Sequence, residues 1–260
     1  MTYELSTTVN PFYAARQAGR RRVKAPGSKY PVYAKLPLAP INGSPVPELT
    51  SLYHNPEPGP YGDRGYPGNC PGNLIRDLLR YFSPRNLFDP MTGSGTCRDV
   101  CQDLGIECWS GDIHAGFDLC DPHHFHGEAR LLDPQTFDFV WIHPPYWRMK
   151  LYAENPGDLS RAPTLDAFLK RYRLALVHCI HVLKPGGKLA VLVGDYTDRE
   201  EGFLPLTYWT KHLAFDLGLR QCCTDVIRFS HGASSSRKVY RSSFIPGLHD
   251  TLAVFKRTEP

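Results

Sequence analysis

Long apolar runs are missing from this 260-residue sequence. The longest, residues 189–193 with their neighbours, is far shorter than the roughly 20 apolar residues that a membrane-spanning helix needs. Residues 1–10 also lack the cationic start and apolar stretch of a secretion signal. We therefore expect a soluble, cytoplasmic protein that makes no contact with a membrane.

Cys-X-X-Cys pairs are absent as well, although the chain has eight cysteines. Without a secretion signal, reduced and buried thiols are a better interpretation than disulfides. Cys120, His123, His124 and His126 carry the side chains that bind zinc, but their spacing matches no zinc pattern. We expect no metal centre.

Charge of one sign is not dominant, because the formal net charge is only +4. The basic residues nevertheless form two clusters. One comprises Arg16, Arg20, Arg21, Arg22, Lys24 and Lys29, and the other Arg228, Arg237, Lys238 and Arg241. Either cluster alone could equally be a solvated face, but two clusters that flank a catalytic domain fit phosphate neutralisation better. We expect nucleic-acid contacts from Arg237, Lys238 and Arg241.

Regular patterning starts late in the chain. Residues 11–71 are rich in Pro, Gly and Tyr and show no sustained period, so we expect an irregular basic arm over residues 1–64 and one domain over residues 65–260. The patterns predict helices over 73–82, 96–104 and 165–183, and strands over 86–89, 107–111, 137–142, 188–194, 221–229 and 251–256. Strands that alternate with helices predict a doubly wound, largely parallel α/β sheet.

A glycine-containing turn, FDPMTGSGT at residues 88–96, follows the first of these strands. Gly93 and Gly95 allow the backbone to approach a ligand closely, at the edge where a doubly wound sheet binds its ligand. The spacing and lysine of a phosphate-binding P-loop are missing. After the next strand, Asp112 is placed to accept hydrogen bonds from ribose hydroxyls.

A second motif, HPPYW at residues 143–147, directly follows the apolar strand 137–142. Pro144 and Pro145 remove two backbone donors and stiffen the turn. Tyr146 and Trp147 present an aromatic pair at the end of the strand. A purely structural turn rarely needs so rigid and aromatic a sequence, so the motif indicates a functional site.

Together these motifs resemble those of the amino-methyltransferases that act on adenine or cytosine in DNA, usually written DP(F)xGSGT and D/N/S-P-P-Y/F. The resemblance covers roughly residues 65–256 and includes the segment at 66–69 and the Leu-Lys-Pro-Gly-Gly turn at 183–187. It implies a Rossmann-like, class I methyltransferase fold that uses S-adenosylmethionine. In that fold a mostly parallel seven-stranded sheet ends in an antiparallel last strand.

The resemblance also implies site residues. The cofactor would be bound by Asn69, Asp89, Pro90, Thr92, Gly93, Gly95, Thr96, Asp112 and Asp121. The first aspartate and the glycines would hold the methionine end, Asp112 the ribose, and Asp121 the adenine ring. The catalytic turn would comprise His143, Pro144, Pro145, Tyr146 and Trp147.

The implied reaction is methylation of an exocyclic amino group on a DNA base, with adenine N6 slightly preferred over cytosine N4. In this family the side chain of the motif and a proline carbonyl accept the amine hydrogens, while the aromatic residue stacks on a flipped-out base. An RNA base methyltransferase and a catalytically inactive binding module remain alternatives. No long recognition segment follows the last strand, so base selection would fall to the arm, residues 148–163 and residues 230–243.

His143 departs from the family, which has an acid, amide or hydroxyl there. A neutral imidazole offers one acceptor nitrogen and a protonated one offers none. We therefore expect activity to fall below the pKa of His143, which is ordinarily near 6.5. If the carbonyl of Pro144 acts alone, replacing His143 by Ala is expected to be mild.

Overall fold

The computed structural model describes residues 43–55, 57, 59–229, 245 and 247–258. Most of the predicted basic arm therefore lies outside the described residues. The same holds for Arg237, Lys238 and Arg241, whose predicted nucleic-acid contacts stay a prediction.

Strands and helices alternate along most of the described chain. The strands are β1 (Leu52–Tyr53), β2 (Asn86–Asp89), β3 (Glu107–Ser110), β4 (Phe137–Ile142), β5 (Leu183–Val193), β6 (Tyr196–Asp198), β7 (Gly202–Leu204), β8 (Arg220–Gln221), β9 (Val226–Phe229) and β10 (His249–Lys256). The α-helices are α1 (Gly72–Phe82), α2 (Thr96–Leu104), α3 (Leu165–Val182) and α4 (Leu206–Asp216). None of the helices in the described ranges has the length and apolar composition of a membrane span.

One sheet organises the fold. Its strand order is β1-β9-β10-β5-β4-β2-β3, and β8 pairs with β10 beside this path. The neighbours from β3 to β5 are parallel, whereas β10 is antiparallel to both β5 and β9. The structure thus confirms the predicted α/β class, with a mostly parallel sheet and an antiparallel last strand. The segment between β3 and β4 contains 3-10 turns and no strand.

Several elements differ in their bounds from the prediction, and three of the differences change the sheet. Strand β5 begins at Leu183, because Leu183 already pairs with Phe137 before the register shifts. The predicted strand 221–229 is interrupted and forms β8 and β9. Within the segment predicted to be an irregular arm, β1 joins the sheet edge, where Leu52 lies opposite Ile227.

Both faces of the central strands are buried, which explains why β4 is a continuous apolar run. Phe139 and Trp141 of β4 pack in the cluster that includes α1 and α2. Val140 and Ile142 point to the opposite face and pack in the cluster with α3 and α4. Alternation of side chains along a strand places the two helical layers on opposite sides of the sheet.

The position of Leu78 in α1 yields a stability prediction. Leu78 is 1% exposed, whereas Leu174 on α3 is 38% exposed. We expect Leu78→Ala to lower the free energy of unfolding by about 2–5 kcal/mol, because truncation removes buried area and leaves a cavity. Leu174→Ala is the matched control and should change it by no more than about 0.5 kcal/mol. Denaturant unfolding of both variants measures this, and equal losses would contradict the assigned packing.

Candidate functional site

A cleft of about 1750 Å³ opens at the carboxyl ends of the parallel strands. The residues at or just after these ends line it, among them Asp89 after β2, Asp112 after β3 and His143 after β4. Pockets for one small molecule are usually about 300–1,000 Å³. The cleft therefore has room for two molecules side by side.

The glycine turn forms one wall of this cleft. Gly93 and Gly95 have φ angles of 48° and 81°, the left-handed region that favours glycine. A side chain at Gly93 would also lie 3.0 Å from the ring of Tyr66. Gly95 directly precedes α2, so the amino end of that helix opens toward the cleft. Pro90, Thr92 and Thr96 line the same wall.

Polar side chains hold the glycine turn in place. One carboxylate oxygen of Asp112 accepts a hydrogen bond of 2.9 Å from the backbone N–H of Gly93. The amide oxygen of Asn69 accepts hydrogen bonds from the hydroxyls of Ser94, at 2.9 Å, and Thr96. All these residues line the cleft. The structure therefore brings together most of the residues predicted to bind the cofactor.

Asp89 is the most unusual of them. Its side chain is 1% exposed, and within the described residues neither carboxylate oxygen accepts a well-aligned hydrogen bond, although the Thr92 hydroxyl and the Met91 N–H lie close enough to lower its pKa in part. Burial raises the pKa of Asp89 to about 8. A buried polar group without a partner is costly, and a charged one more so. Because Asp89 lines the cleft, a cationic group bound there would supply the missing partner. The methionine ammonium of S-adenosylmethionine fits this requirement.

An aromatic pair lies over the glycine turn. The rings of Tyr66 and Tyr152 stack with centroids 6.2 Å apart and an interplanar angle of 24°. Gly68 has a φ of 86°, and a side chain there would lie 2.8 Å from the hydroxyl of Tyr152. Tyr152 was not among the predicted site residues. It lies 42 residues beyond the end of β3 in the sequence, in a segment without a recognisable motif.

Asp121, which was predicted to bind the adenine ring of the cofactor, lies outside the lining of the cleft. Asp121 begins the 3-10 turn Pro122–His124, and its carboxylate caps that turn by accepting a 2.9 Å hydrogen bond from the N–H of His123. Asp121 is not among the residues that line the cleft, but Asp118 is. A side chain at Gly157 would lie 1.9 Å from the carboxylate of Asp118, so a glycine is needed there. The local Asp-Leu-Cys-Asp sequence gives no signal that separates the two acids.

The turn after β4 is tied to the last two strands of the sheet. The His143 Nε2 atom lies 3.3 Å from the Tyr146 hydroxyl, which donates a 3.1 Å hydrogen bond to one oxygen of Asp250. The other oxygen of Asp250 accepts a hydrogen bond from Arg228. Asp250 and Arg228 lie opposite each other in the pairing of β10 with β9. Sequence reasoning missed this interaction because the partners are far apart in the chain.

The remaining residues of the turn separate into two groups. Pro144 and Pro145 line the cleft, and the Pro144 carbonyl makes no hydrogen bond within the described residues. Trp147 is 1% exposed, and its Nε1 atom donates a 2.8 Å hydrogen bond to the carbonyl of Ala162. The 3-10 turn that begins at Trp147 directs this ring into the core against Phe168. Trp147, which was predicted to belong to the catalytic turn, therefore does not line the cleft.

The electrostatic surroundings keep His143 neutral. Burial lowers the pKa of His143 to about 4, while Asp250 opposes this shift and Arg228 adds to it. Burial and the neighbouring Asp250 also raise the pKa of Tyr146 well above its usual value, so its hydroxyl stays protonated. Protonation of His143, and with it the loss of its acceptor nitrogen, is therefore expected near pH 4 rather than near pH 6.5.

Two of the basic side chains at the site are already paired. Arg228, placed in a surface cluster by the sequence, is 7% exposed and bound to Asp250. Arg148 forms ion pairs of 2.7 Å with Asp198 and Glu200. Lys150 and Arg199 also line the cleft, and neither forms an ion pair within the described residues.

No three metal-binding side chains converge in the part of the chain that is described.

No family model matches the chain. No curated protein matches it either. Among similar solved structures is a candidate DNA modification methylase from Thermus thermophilus complexed with S-adenosyl-L-methionine, with 17% identity over 68% of this chain and 56% of that chain and a TM-score of 0.39. A second is a SAM-dependent methyltransferase from Archaeoglobus fulgidus, with 16% identity over 72% of this chain and 95% of that chain and a TM-score of 0.45. A third is TrmN from Thermus thermophilus, with 14% identity over 72% of this chain and 48% of that chain and a TM-score of 0.37. The chain thus spans about half the length of the first and third of these proteins.

The unpartnered carboxylate yields a binding prediction. We expect Asp89→Asn to weaken binding of S-adenosylmethionine at least about 30-fold, because the amide carries no negative charge for the ammonium. Isothermal titration calorimetry measures the affinity. Asp121→Asn is the matched control, since Asn caps a turn as well as Asp does. Wild-type affinity in Asp89→Asn would contradict the assignment.

The same substitution changes how stability depends on pH. The folded-state pKa of Asp89 lies near 8, above the value of about 3.9 in an unfolded chain. The folded state therefore binds more protons between these values, and its stability falls as the pH rises toward 8. In thermal melts without cofactor, we expect Asp89→Asn to lose less stability than the wild type between about pH 5 and 8. An identical loss in both proteins would contradict this.

Proposed function

We propose that this protein transfers a methyl group from S-adenosylmethionine to the exocyclic amino group of a nucleic-acid base, in DNA, with adenine N6 preferred over cytosine N4. One observation carries the proposal. The same cleft contains a buried carboxylate without a partner, Asp89, and a turn with the acceptors His143 and Pro144. The first site suits a cationic cofactor and the second suits an amine.

The cofactor would lie along the glycine turn. Its sulfonium group supplies an electrophilic methyl group. Asp89 would bind the ammonium, and Asp112 has carboxylate lone pairs left for ribose hydroxyls after binding Gly93. Asp118, rather than Asp121, is the cleft acid available for the adenine amino group. The stacked Tyr66 and Tyr152 would provide a flat wall for the adenine ring.

The turn after β4 would activate the target amine. The lone pair of an exocyclic amine is delocalised into the base, so the nitrogen is a poor nucleophile. A neutral His143 accepts one amine hydrogen, and the carbonyl of Pro144 accepts the other. Both hydrogen bonds favour a tetrahedral nitrogen with a localised lone pair. The methyl group would pass directly to this nitrogen as its bond to sulfur breaks, and the nitrogen would then release one hydrogen as a proton to solvent. Such a displacement depends mainly on positioning.

The base must leave its duplex to reach this turn. Flipping it out costs a few kcal/mol. Stacking on an aromatic ring recovers about 1–3 kcal/mol per base. Tyr146 lines the cleft and remains available for that contact, whereas Trp147 does not.

Phosphate binding would come from the cleft mouth and its surroundings. Lys150 and Arg199 line the cleft without ion-pair partners among the described residues. The predicted contacts of Arg237, Lys238 and Arg241 would add to them. The choice of DNA over RNA depends on the resemblance of the motifs to DNA amino-methyltransferases.

Replacement of His143 tests the amine activation. We expect His143→Ala to slow the chemical step about 100-fold, comparable to the loss of one transition-state hydrogen bond. His143→Asn should retain most of the rate, because an amide oxygen also accepts a hydrogen bond. Single-turnover methylation at saturating cofactor measures both. If His143→Ala is as fast as the wild type, the Pro144 carbonyl acts alone.

The pH dependence provides a separate check on His143. Its pKa of about 4 keeps the imidazole neutral at higher pH. We therefore expect the single-turnover rate to be flat between about pH 5.5 and 8 and to fall as the pH drops toward 4, where protonation removes the acceptor. A fall centred near pH 6.5 would contradict the lowered pKa.

Labelled methyl transfer tests the proposal as a whole. The protein is incubated with radiolabelled S-adenosylmethionine and either DNA or tRNA, and methylated nucleosides are identified by mass spectrometry. We expect N6-methyladenine, or N4-methylcytosine, in DNA and none with Asp89→Asn at limiting cofactor. Label in tRNA alone would favour the RNA alternative. Cofactor binding without label in either polymer would indicate an inactive binding module.

A further inference from the structure

We propose that Asp250 is a positioning residue that sets the tautomer of His143 through the hydroxyl of Tyr146, so that Nδ1 is the acceptor offered to the substrate amine. This inference rests on the proposed function, which requires one acceptor nitrogen on His143. The three side chains form a continuous hydrogen-bonded series in the lining of the cleft. His143 and Tyr146 belong to the predicted catalytic turn, whereas Asp250 does not.

Hydrogen-bond directions follow from the chemistry of each group. An ionised carboxylate can only accept, so the 3.1 Å contact uses the hydroxyl hydrogen of Tyr146. With its only hydrogen given to Asp250, the Tyr146 oxygen can only accept at the 3.3 Å contact with His143 Nε2. The hydrogen of the neutral imidazole is therefore on Nε2. Nδ1 keeps its lone pair, and it has no hydrogen-bond partner in the described residues.

Arg228 fixes the hydrogen-bonding role of Asp250, the first of the three side chains. It lies across from Asp250 in the antiparallel pair of β9 and β10 and donates to the second carboxylate oxygen. Although burial opposes it, Arg228 holds the pKa of Asp250 below its usual value. A guanidinium has no acceptor, so the contact cannot reverse. Asp250 is thereby kept as an acceptor toward Tyr146.

Gly194, directly after β5, leaves the space that this series occupies. A side chain there would lie 2.5 Å from the Asp250 oxygen that binds Tyr146, and 3.1 Å from the Tyr146 ring. Any larger residue would have to displace one of the two. The close approach of Asp250 to Tyr146 therefore depends on glycine at this position.

Asp250→Asn is the most direct test, because it should reverse the direction of each hydrogen bond in the series. The amide oxygen must face Arg228, which only donates, so the NH₂ group faces Tyr146. Tyr146 then accepts from the amide and donates to His143 Nε2, which moves the imidazole hydrogen to Nδ1. Nitrogen-15 NMR of the free protein distinguishes the two tautomers. The His143 signals are assigned among the 11 histidines by their loss in His143→Asn.

We expect the wild type to be protonated on Nε2 and Asp250→Asn on Nδ1. Tyr146→Phe keeps the ring but removes the hydroxyl that links Asp250 to His143, so a mixture of tautomers should appear. This variant provides the test if Asp250→Asn folds poorly. In both variants kcat should fall about 100-fold, with little change in the KM for nucleic acid. Tyr172→Phe is the matched control: it removes a buried hydroxyl bonded to Thr210 at 2.9 Å, outside the cleft, and should leave the tautomer unchanged.

The tautomer and the activity are separate readouts. A wild-type His143 protonated on Nδ1, or an unchanged tautomer in both Asp250→Asn and Tyr146→Phe, would overturn the inference even if bases are methylated. The predicted tautomers in a protein that methylates no nucleic acid would support the positioning role of Asp250 and refute the proposed function.

Discussion

A buried carboxylate without a partner is the constraint on which this account depends. Asp89 ends β2, next to the edge strand β3, and its side chain is 1% exposed. No described group forms a well-aligned hydrogen bond to its oxygens, and the nearby Thr92 hydroxyl and Met91 N–H only partly counter the effect of burial on its pKa. Burial raises its pKa to about 8, so the charged form is disfavoured until a cation arrives. The cost of holding such a group is offset only when a ligand binds. The fold therefore favours a cationic ligand at Asp89 before any ligand is bound.

The parallel sheet places the second part of the site next to the first. Because β2 and β4 are neighbours, their carboxyl ends bring Asp89 and His143 to the same cleft. The two sites differ in electrostatic character. Around Asp89 a cation is needed, whereas His143 is kept neutral by burial and by the balance between Asp250 and Arg228. These surroundings agree with the proposed reactants, a cationic methyl donor and a neutral amine.

Local patterns predicted the elements well, since β2, α2 and β4 have the bounds that apolar periodicity and glycine turns indicate. The glycine turn and the HPPYW motif likewise located the cleft. What local patterns could not predict depends on long-range packing. Arg228 is indistinguishable from a surface cation until β9 pairs with β10, and the choice between Asp118 and Asp121 depends on which acid faces the cleft. Trp147 was misjudged because an aromatic residue after a strand can face the core as readily as the cleft.

Direct titration of Asp89 tests the central claim. Carbon-13 NMR of the Asp89 carboxyl carbon, assigned by its loss in Asp89→Asn, gives the pKa with and without saturating S-adenosylmethionine. The account predicts a pKa of about 8 in the free protein. It also predicts a shift to well below neutral pH in the complex, because the bound ammonium stabilises the ionised form. A pKa that stays at its free value when the cofactor is bound would contradict it.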